Sequence, residues 1–473
     1  MEREKLGSRL GFILLSAGCA IGCGNVWKFP WMCGENGGGI FVLIYLLFLI
    51  VLGLPVMIME FSVGRASQAG AIDAFKKLEK PKQKWHLHGY GALAANVLLM
   101  MFYTSVAGWI LYYFVKFVKG DMTGITDTVS SKLFDNMLLD VPVMIGFMVA
   151  VVILGFVALS FGLQKGLERI TKYMMVLLLA LMVVLAVRGF WLDGAKEGLK
   201  FYLVPDFSKL SGNVVVGAMN QAFFTLSLGI GSMAIFGSYI DKKRTLLGES
   251  INILVLDTFV AIVAGLIIFP SLYSFNDNVA DLPEELKNGP GLLFITMAKA
   301  FNNMQGGRIW GSFFFLFMFF AAMSTVLAVF ENILASVREL TGWSRIKGCV
   351  ICCMAILVLS LPCALGYNVL KDFHPFTSDS AILDLEDFIV SNCMLPLGSL
   401  IYILFCTSKK GWGFDNFLRE ANTGKGPKVA RWLKPYFTYV LPLIIIFVFV
   451  MGIISFEFKD KFTILSWALG LLK

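Results

Sequence analysis

Hydrophobic positions in this chain gather into runs close to the ~20 residues that an α-helix needs to cross a bilayer. Val141 to Leu163, Ile309 to Phe330, Gly348 to Leu370, Phe388 to Ser408 and Tyr436 to Phe456 contain no charged residue at all. Only a helix satisfies its own backbone within such a run in lipid. Extended to the neighbouring runs, the pattern predicts eleven spans, at about 10–37, 40–63, 88–117, 141–163, 166–188, 213–240, 249–273, 308–338, 347–367, 383–408 and 435–456. The expectation is an all-α integral membrane protein in one domain.

Two of these runs are interrupted. The first reads SAGCAIGCGNVWKFPW over residues 16–31, and the sixth reads TLSLGIGS over Thr225 to Ser232. Both put glycine mid-membrane, where helix propensity favours Ala or Leu. Small residues of this kind also serve close helix packing. Two interruptions at corresponding places in two five-helix halves point instead to an inverted-repeat transporter with its site at the midplane. The halves fall at about 10–190 and 213–408, with 435–456 as an extra span.

Breaking a helix in lipid frees backbone groups that cost several kcal/mol each unless something polar meets them. Freed carbonyls and C-terminal half-helix ends suit a small hard cation; N-terminal ends suit a carboxylate. An amino acid carries both a carboxylate and an ammonium, and Gly22 leaves room for the carboxylate. Asp257 stands mid-span in NILVLDTFVAIVAG, with no Lys or Arg within a turn or two. An unpaired carboxylate there protonates or ligates a cation, and a sodium ion with Asn25 and Thr225 is the expected arrangement. Glu60 and Glu331 lie nearer span ends and read as solvated or structural.

Composition agrees: 58% of the 473 residues are hydrophobic and 15% charged. The net charge of +8 reports topology rather than nucleic-acid binding. With a cytoplasmic N-terminus, the inside segments hold 25 of the 40 Lys and Arg and the outside segments 13, which predicts N-terminus in and C-terminus out. No cleavable signal peptide is expected before the first span. The nine cysteines fall in spans, so neither disulfides nor a metal centre is expected. Residues 274–305 are expected to form a helical cap over the outer mouth or a plain surface helix, and residues 457–473 an amphipathic surface helix.

Taken together, SRLGFILLSAGCAIGCGNVWKFP, ENGGG at 35–39, FYTSVAGW at 102–109, QAFFTLSLGIG at 221–231 and the DF of LEDFIVSN resemble the neurotransmitter:sodium symporters, the LeuT-like family, in its shorter eleven-span bacterial branch. The resemblance implies a LeuT-type 5+5 inverted repeat with broken first and sixth spans, working in the plasma membrane as a symporter. A first sodium site would use the Ala20 carbonyl, Asn25, Thr225 and Asp257. A second would use the Gly18, Ile21 and Ala321 carbonyls with the Ser324 and Thr325 hydroxyls. The substrate carboxylate would meet the first sodium, the Gly22 and Gly24 amides and Tyr103. Its ammonium would meet carbonyls at Ala20, Phe224, Thr225 and Ser227.

The side-chain pocket implied by the resemblance is Leu99, Tyr103, Phe224, Ile230, Ala328 and Val329, which selects a neutral hydrophobic amino acid. Chloride-dependent relatives complete a halide site with Ser and Asn where this chain has Ala261 and Asp257, beside Tyr45, Gln221 and Thr225. A fixed carboxylate replaces the halide charge, so chloride independence is expected. The outer gate would pair Lys28 with Asp387, where the family has Arg and its bidentate fork. The inner gate would pair Arg3 with Glu339, with Ser238 and Tyr239 nearby; the Trp common beside that Arg is Leu6 here. Alternatives are a proton-coupled or exchanging transporter of the same fold and a sensor that binds without carrying. No single span gathers a nucleophile, a base and an oxyanion donor, so an enzyme is not expected.

Overall fold

The computed structural model describes residues 6–122, 127–275, 291–377 and 380–454, with two short strands beyond. Among these residues, nine helices are long and apolar enough to span a membrane: Gly39–Ser67, Leu87–Lys119, Val141–Ser160, Leu163–Gly189, Leu246–Ser274, Gly307–Thr341, Arg345–Leu365, Ile382–Thr407 and Arg431–Ile454. Arg9–Ala20 and Gly24–Glu35 form a further span bent by 54° at its break. Gly212–Thr225 and Ser232–Gly237, separated by an unwound stretch, make the sixth span. Apolar run length alone therefore located the elements to within a few residues.

The eighth span is the centre of the molecule. Its 35 residues include an unbroken buried run from Ala321 to Ser336, because the first, third, fourth and fifth spans all pack against it. The second half of the sixth span lies on the second span. The outward faces of the peripheral spans stay apolar and exposed, as at Val350, Met354 and Val358 of the ninth span, which is what lipid contact requires.

Two peripheral expectations change. Leu292–Asn302 is a short apolar helix with Leu292, Leu293 and Phe294 buried, so it is no plain surface helix. Phe294 packs 5.2 Å from the ring of Tyr113 and 5.9 Å from that of Trp109, on the third span; residues 276–290 of the expected cap lie outside the described residues. Near the C-terminus, Glu457–Phe458 and Phe462–Thr463 pair as antiparallel strands where a helix was expected. The register pairs Glu457 with Thr463 and Phe458 with Phe462. The remainder of 457–473 lies outside the described residues.

Candidate functional site

The first span starts under good control. Ser8 accepts from the Gly11 amide at 3.0 Å and donates to Glu168 at 2.7 Å. The helix then ends at Ala20, and Ile21 turns extended. The Gly22 carbonyl accepts from the Asn25 and Val26 amides at 3.1 and 3.3 Å, which starts the second half. A Cβ on Gly22 would overlap the Tyr103 hydroxyl and Thr325 Oγ1. Glycine is required there by contact, not by backbone angle.

The sixth span breaks differently, through left-handed backbone: φ is +50° at Ser227, +92° at Gly229 and +76° at Gly231. Side chains from neighbouring spans meet the freed groups. Glu60, fully buried, accepts from the Gly229 amide and, at 3.3 Å, from the Met233 amide. Asn96 donates to the Ile230 carbonyl at 2.8 Å and Asn332 at 3.4 Å. Glu60 was expected to be solvated or structural, and sequence reasoning missed both asparagines. Their signal was a lone polar residue in an apolar run, as Asn96 is in ALAANVLLMM. Glu331, also expected to be solvated or structural, is buried and paired with Arg345 at 2.6 Å, so the structural role is the one it has.

At the meeting of the breaks, Asn25 Nδ2 donates to Asp257 Oδ1 at 2.8 Å and to the Asp257 carbonyl at 3.3 Å, while its Oδ1 accepts from the Gly22 amide at 3.2 Å. The second oxygen of Asp257 is buried with no hydrogen-bond partner. Tyr45 interacts electrostatically with Asp257, and its hydroxyl stands beside that of Thr225. A carboxylate with one oxygen satisfied and one bare, amid hydroxyl and amide oxygens, is the donor set of a small hard cation. The Gln221 amide belongs to the same cluster, donating to the Gly24 carbonyl at 2.7 Å.

Ser324 and Thr325 of the eighth span face the first break from the other side. Ser324 Oγ lies 3.2 Å from the Ile21 carbonyl and 2.9 Å from that of Ala321. Thr325 Oγ1 lies 3.3 Å from both the Gly18 and Ile21 carbonyls. The structure thus brings together all five residues expected at a second ion site, three carbonyls and two hydroxyls.

Between these clusters is a cavity of about 20 Å3, room for a single water. Ala20, Gly22, Gly24, Leu99, Tyr103, Phe224, Ser227 and Ile230 line it, and Thr225 does not. Cys19, Thr325, Val390 and Leu395 line it too, the last two from the tenth span, which the sequence reading did not include. Ala328 and Val329 are fully buried and do not line it. The Tyr103 hydroxyl accepts from the Cys23 amide at 2.8 Å, at the N-terminal end of the half-helix where a carboxylate is favoured. The cavity must widen before an amino acid fits, since ligand pockets are typically roughly 300–1,000 Å3.

Above the cavity, Lys28 Nζ is 3.3 Å from Asp387 Oδ2 and 3.9 Å from the centroid of the Phe224 ring. Ser391 donates to the other Asp387 oxygen at 2.6 Å. Below it, Tyr239 donates to Glu331 at 3.0 Å, and Glu339 accepts from the Gly70 amide at 2.7 Å. Arg3 lies outside the described residues. A cleft of about 430 Å3 opens at this end, with Leu6, Arg9, Tyr239 and Glu249 among its walls.

A family model described as the sodium:neurotransmitter symporter family matches residues 3–132 and 131–472. The uncharacterized sodium-dependent transporter YhdH of Bacillus subtilis is 36% identical over 451 residues, covering 95% of this chain and 98% of its own. A sodium-dependent transporter of Haemophilus influenzae is 31% identical over 465 residues, at 96% and 98% coverage. A crystal structure of MhsT in complex with L-phenylalanine matches with a TM-score of 0.84 and 34% identity, over 95% of this chain and 100% of that one. The expected five-plus-five arrangement with its broken first and sixth spans is thus the fold of this chain. With both breaks converging on a carboxylate and two hydroxyls deep in the membrane, and with matches along nearly its whole length, the chain belongs to the sodium:neurotransmitter symporter family, whose members are sodium-dependent transporters and not enzymes.

Proposed function

We propose that this symporter takes up a neutral hydrophobic L-amino acid with sodium, independently of chloride, across the plasma membrane with its N-terminus cytoplasmic. The observation that carries this is the bare, buried oxygen of Asp257 at the meeting point of the two breaks. One sodium binds there with Asn25, Thr225 and the Ala20 carbonyl. It presents its charge to the substrate carboxylate, which the Cys23 and Gly24 amides and Tyr103 also receive. A second sodium sits among the Gly18, Ile21 and Ala321 carbonyls, Ser324 and Thr325, tying the first span to the eighth. The ammonium is held by the Ala20, Phe224, Thr225 and Ser227 carbonyls. Leu99, Phe224 and Ile230 receive the apolar side chain, with Val390 and Leu395 facing them. The L-phenylalanine bound to MhsT supports a substrate of this class.

Closure follows from what the ions connect. Filling both sites neutralises charge and ties the broken helices to the eighth span, and Lys28 with Asp387 closes above Phe224. Opening below then releases ions and substrate. Each sodium entering down ~100 mV supplies about 2.3 kcal/mol from the potential alone. Asp257 provides the fixed negative charge that chloride would bring, and Ala261 leaves no hydroxyl to hold a halide.

The test is uptake of labelled leucine, phenylalanine, tryptophan and tyrosine into proteoliposomes, under inward sodium, inward proton or no gradient, with and without chloride. Accumulation is expected to require sodium, ignore chloride and disappear in Asp257→Ala. Uptake on a proton gradient alone would replace sodium as the coupling ion. Tight binding without accumulation under any gradient would make the chain a sensor.

A further inference from the structure

We infer that the segment from Lys425 to Lys434, where the chain enters its last span, is a docking surface for anionic phospholipid headgroups. Four cations stand in ten residues, at Lys425, Lys428, Arg431 and Lys434, and no acidic residue occurs from Ala421 to Phe456. All four are exposed. Trp432, among them, is 77% exposed, and it lies at the start of the spanning helix Arg431–Ile454. An indole so placed belongs at the headgroup level, its ring in the acyl boundary and its N–H in water. The apolar face continues along the same helix through Tyr439 and Leu443, 69% and 66% exposed. Cations and indole therefore lie where phosphate and acyl chain lie in a bilayer, and negative headgroups complement the charge.

The surface is built rather than loose. Asn422 clasps Val429 from both sides, donating to its carbonyl at 2.9 Å and accepting from its amide at 2.7 Å. Lys425 exchanges backbone hydrogen bonds with the loop after the sixth span, to the Lys243 carbonyl at 2.9 Å and from the Thr245 amide at 3.3 Å. Arg431 pairs with the exposed Asp415 at 3.0 Å; a contact this exposed yields readily to a phosphate. Headgroups held here sit on a platform tied to the sixth span.

The test uses the full-length protein, purified in neutral detergent and offered phosphatidylglycerol or phosphatidylcholine, with retained lipid counted by native mass spectrometry. The parent is expected to retain phosphatidylglycerol preferentially. The preference should fall by roughly tenfold in K425Q/K428Q/R431Q/K434Q and at high salt, since each basic residue near an anionic surface adds attraction. Trp432→Ala should weaken retention of both lipids. An unchanged preference in the quadruple variant overturns the inference, as does displacement of phosphatidylglycerol by inorganic phosphate at equal concentration, which would make this a free-anion site. Should the quadruple variant not fold, K425Q/K428Q, which alters only exposed side chains, is read by the same criteria with a smaller expected fall.

Discussion

At the residue scale, glycine and lysine carry the sharpest expectations. Gly22 has no space for a Cβ, because Thr325 Oγ1 and the Tyr103 hydroxyl stand against it. Overpacking of this kind costs about 1–3 kcal/mol, and here it displaces Thr325 from the hydroxyl cluster and Tyr103 from the cavity wall. Gly22→Ala is therefore expected to insert and fold with a lowered melting temperature, yet to lose most sodium-dependent uptake; uptake at the parental rate would remove Gly22 from the site. Lys28 makes one contact to Asp387 and one to the face of Phe224. Arginine in its place gains a bidentate fork and keeps the ring contact. Because the pair is partly exposed, with side chains 23% and 32% accessible, the gain stays below about 1 kcal/mol. Lys28→Arg is expected to slow release of bound substrate by a few-fold at most, read from the dissociation rate of labelled ligand.

At the element scale, the two broken spans are solutions to one problem by different means. In the first, Gly22 and Asn25 close the break locally, through a carbonyl that starts the next half-helix and an amide oxygen that caps the Gly22 N–H. In the sixth, six residues unwind and other spans supply the partners: Glu60 from the second, Asn96 from the third, Asn332 from the eighth. Asn96→Ala strands the Ile230 carbonyl with only the longer Asn332 contact. Leaving such a group unmet costs about 1–3 kcal/mol, so a lower melting temperature and weaker ligand binding are expected together. Glu60→Leu should be worse than Asn96→Ala, since it abandons amides at Gly229 and Met233 at once. The reverse order, measured by thermal melting, would mean that the break finds other partners.

At the scale of the whole molecule, the ends of spans far apart in sequence are locked together by buried charge. Arg65, at the end of the second span and fully buried, pairs with Glu420 at 2.7 Å and donates to the Arg244 carbonyl at 2.7 Å. Lys242 reaches the other Glu420 oxygen at 3.0 Å. Removing one partner of a buried pair typically costs about 3–5 kcal/mol. Arg65→Met is expected near the low end because Lys242 remains, and Arg65→Met with Glu420→Met should recover much of the loss. A loss in the double variant equal to the sum of the losses in Arg65→Met and Glu420→Met would show the pair to be uncoupled. Run length and charge balance along the chain were enough to determine that it crosses the membrane, about where each span lies and which two are interrupted, because in lipid every helix must satisfy its own backbone and be apolar by itself. The resemblance at the glycines, Asn25, Asp257, Ser324 and Thr325 implied the ion sites, and those side chains and carbonyls stand where the chain breaks. What only the tertiary structure decided is which partners rescue the sixth-span break, that Val390 and Leu395 complete the cavity wall, and that Glu60 and Glu331 are held inside. The hydrogen bonds by which Glu60, Asn96, Asn332 and Glu331 reach other spans join residues 14 to 173 positions apart, the cavity wall joins spans still further apart in sequence, and packing between separate helices, each apolar on all sides, leaves no local pattern to read.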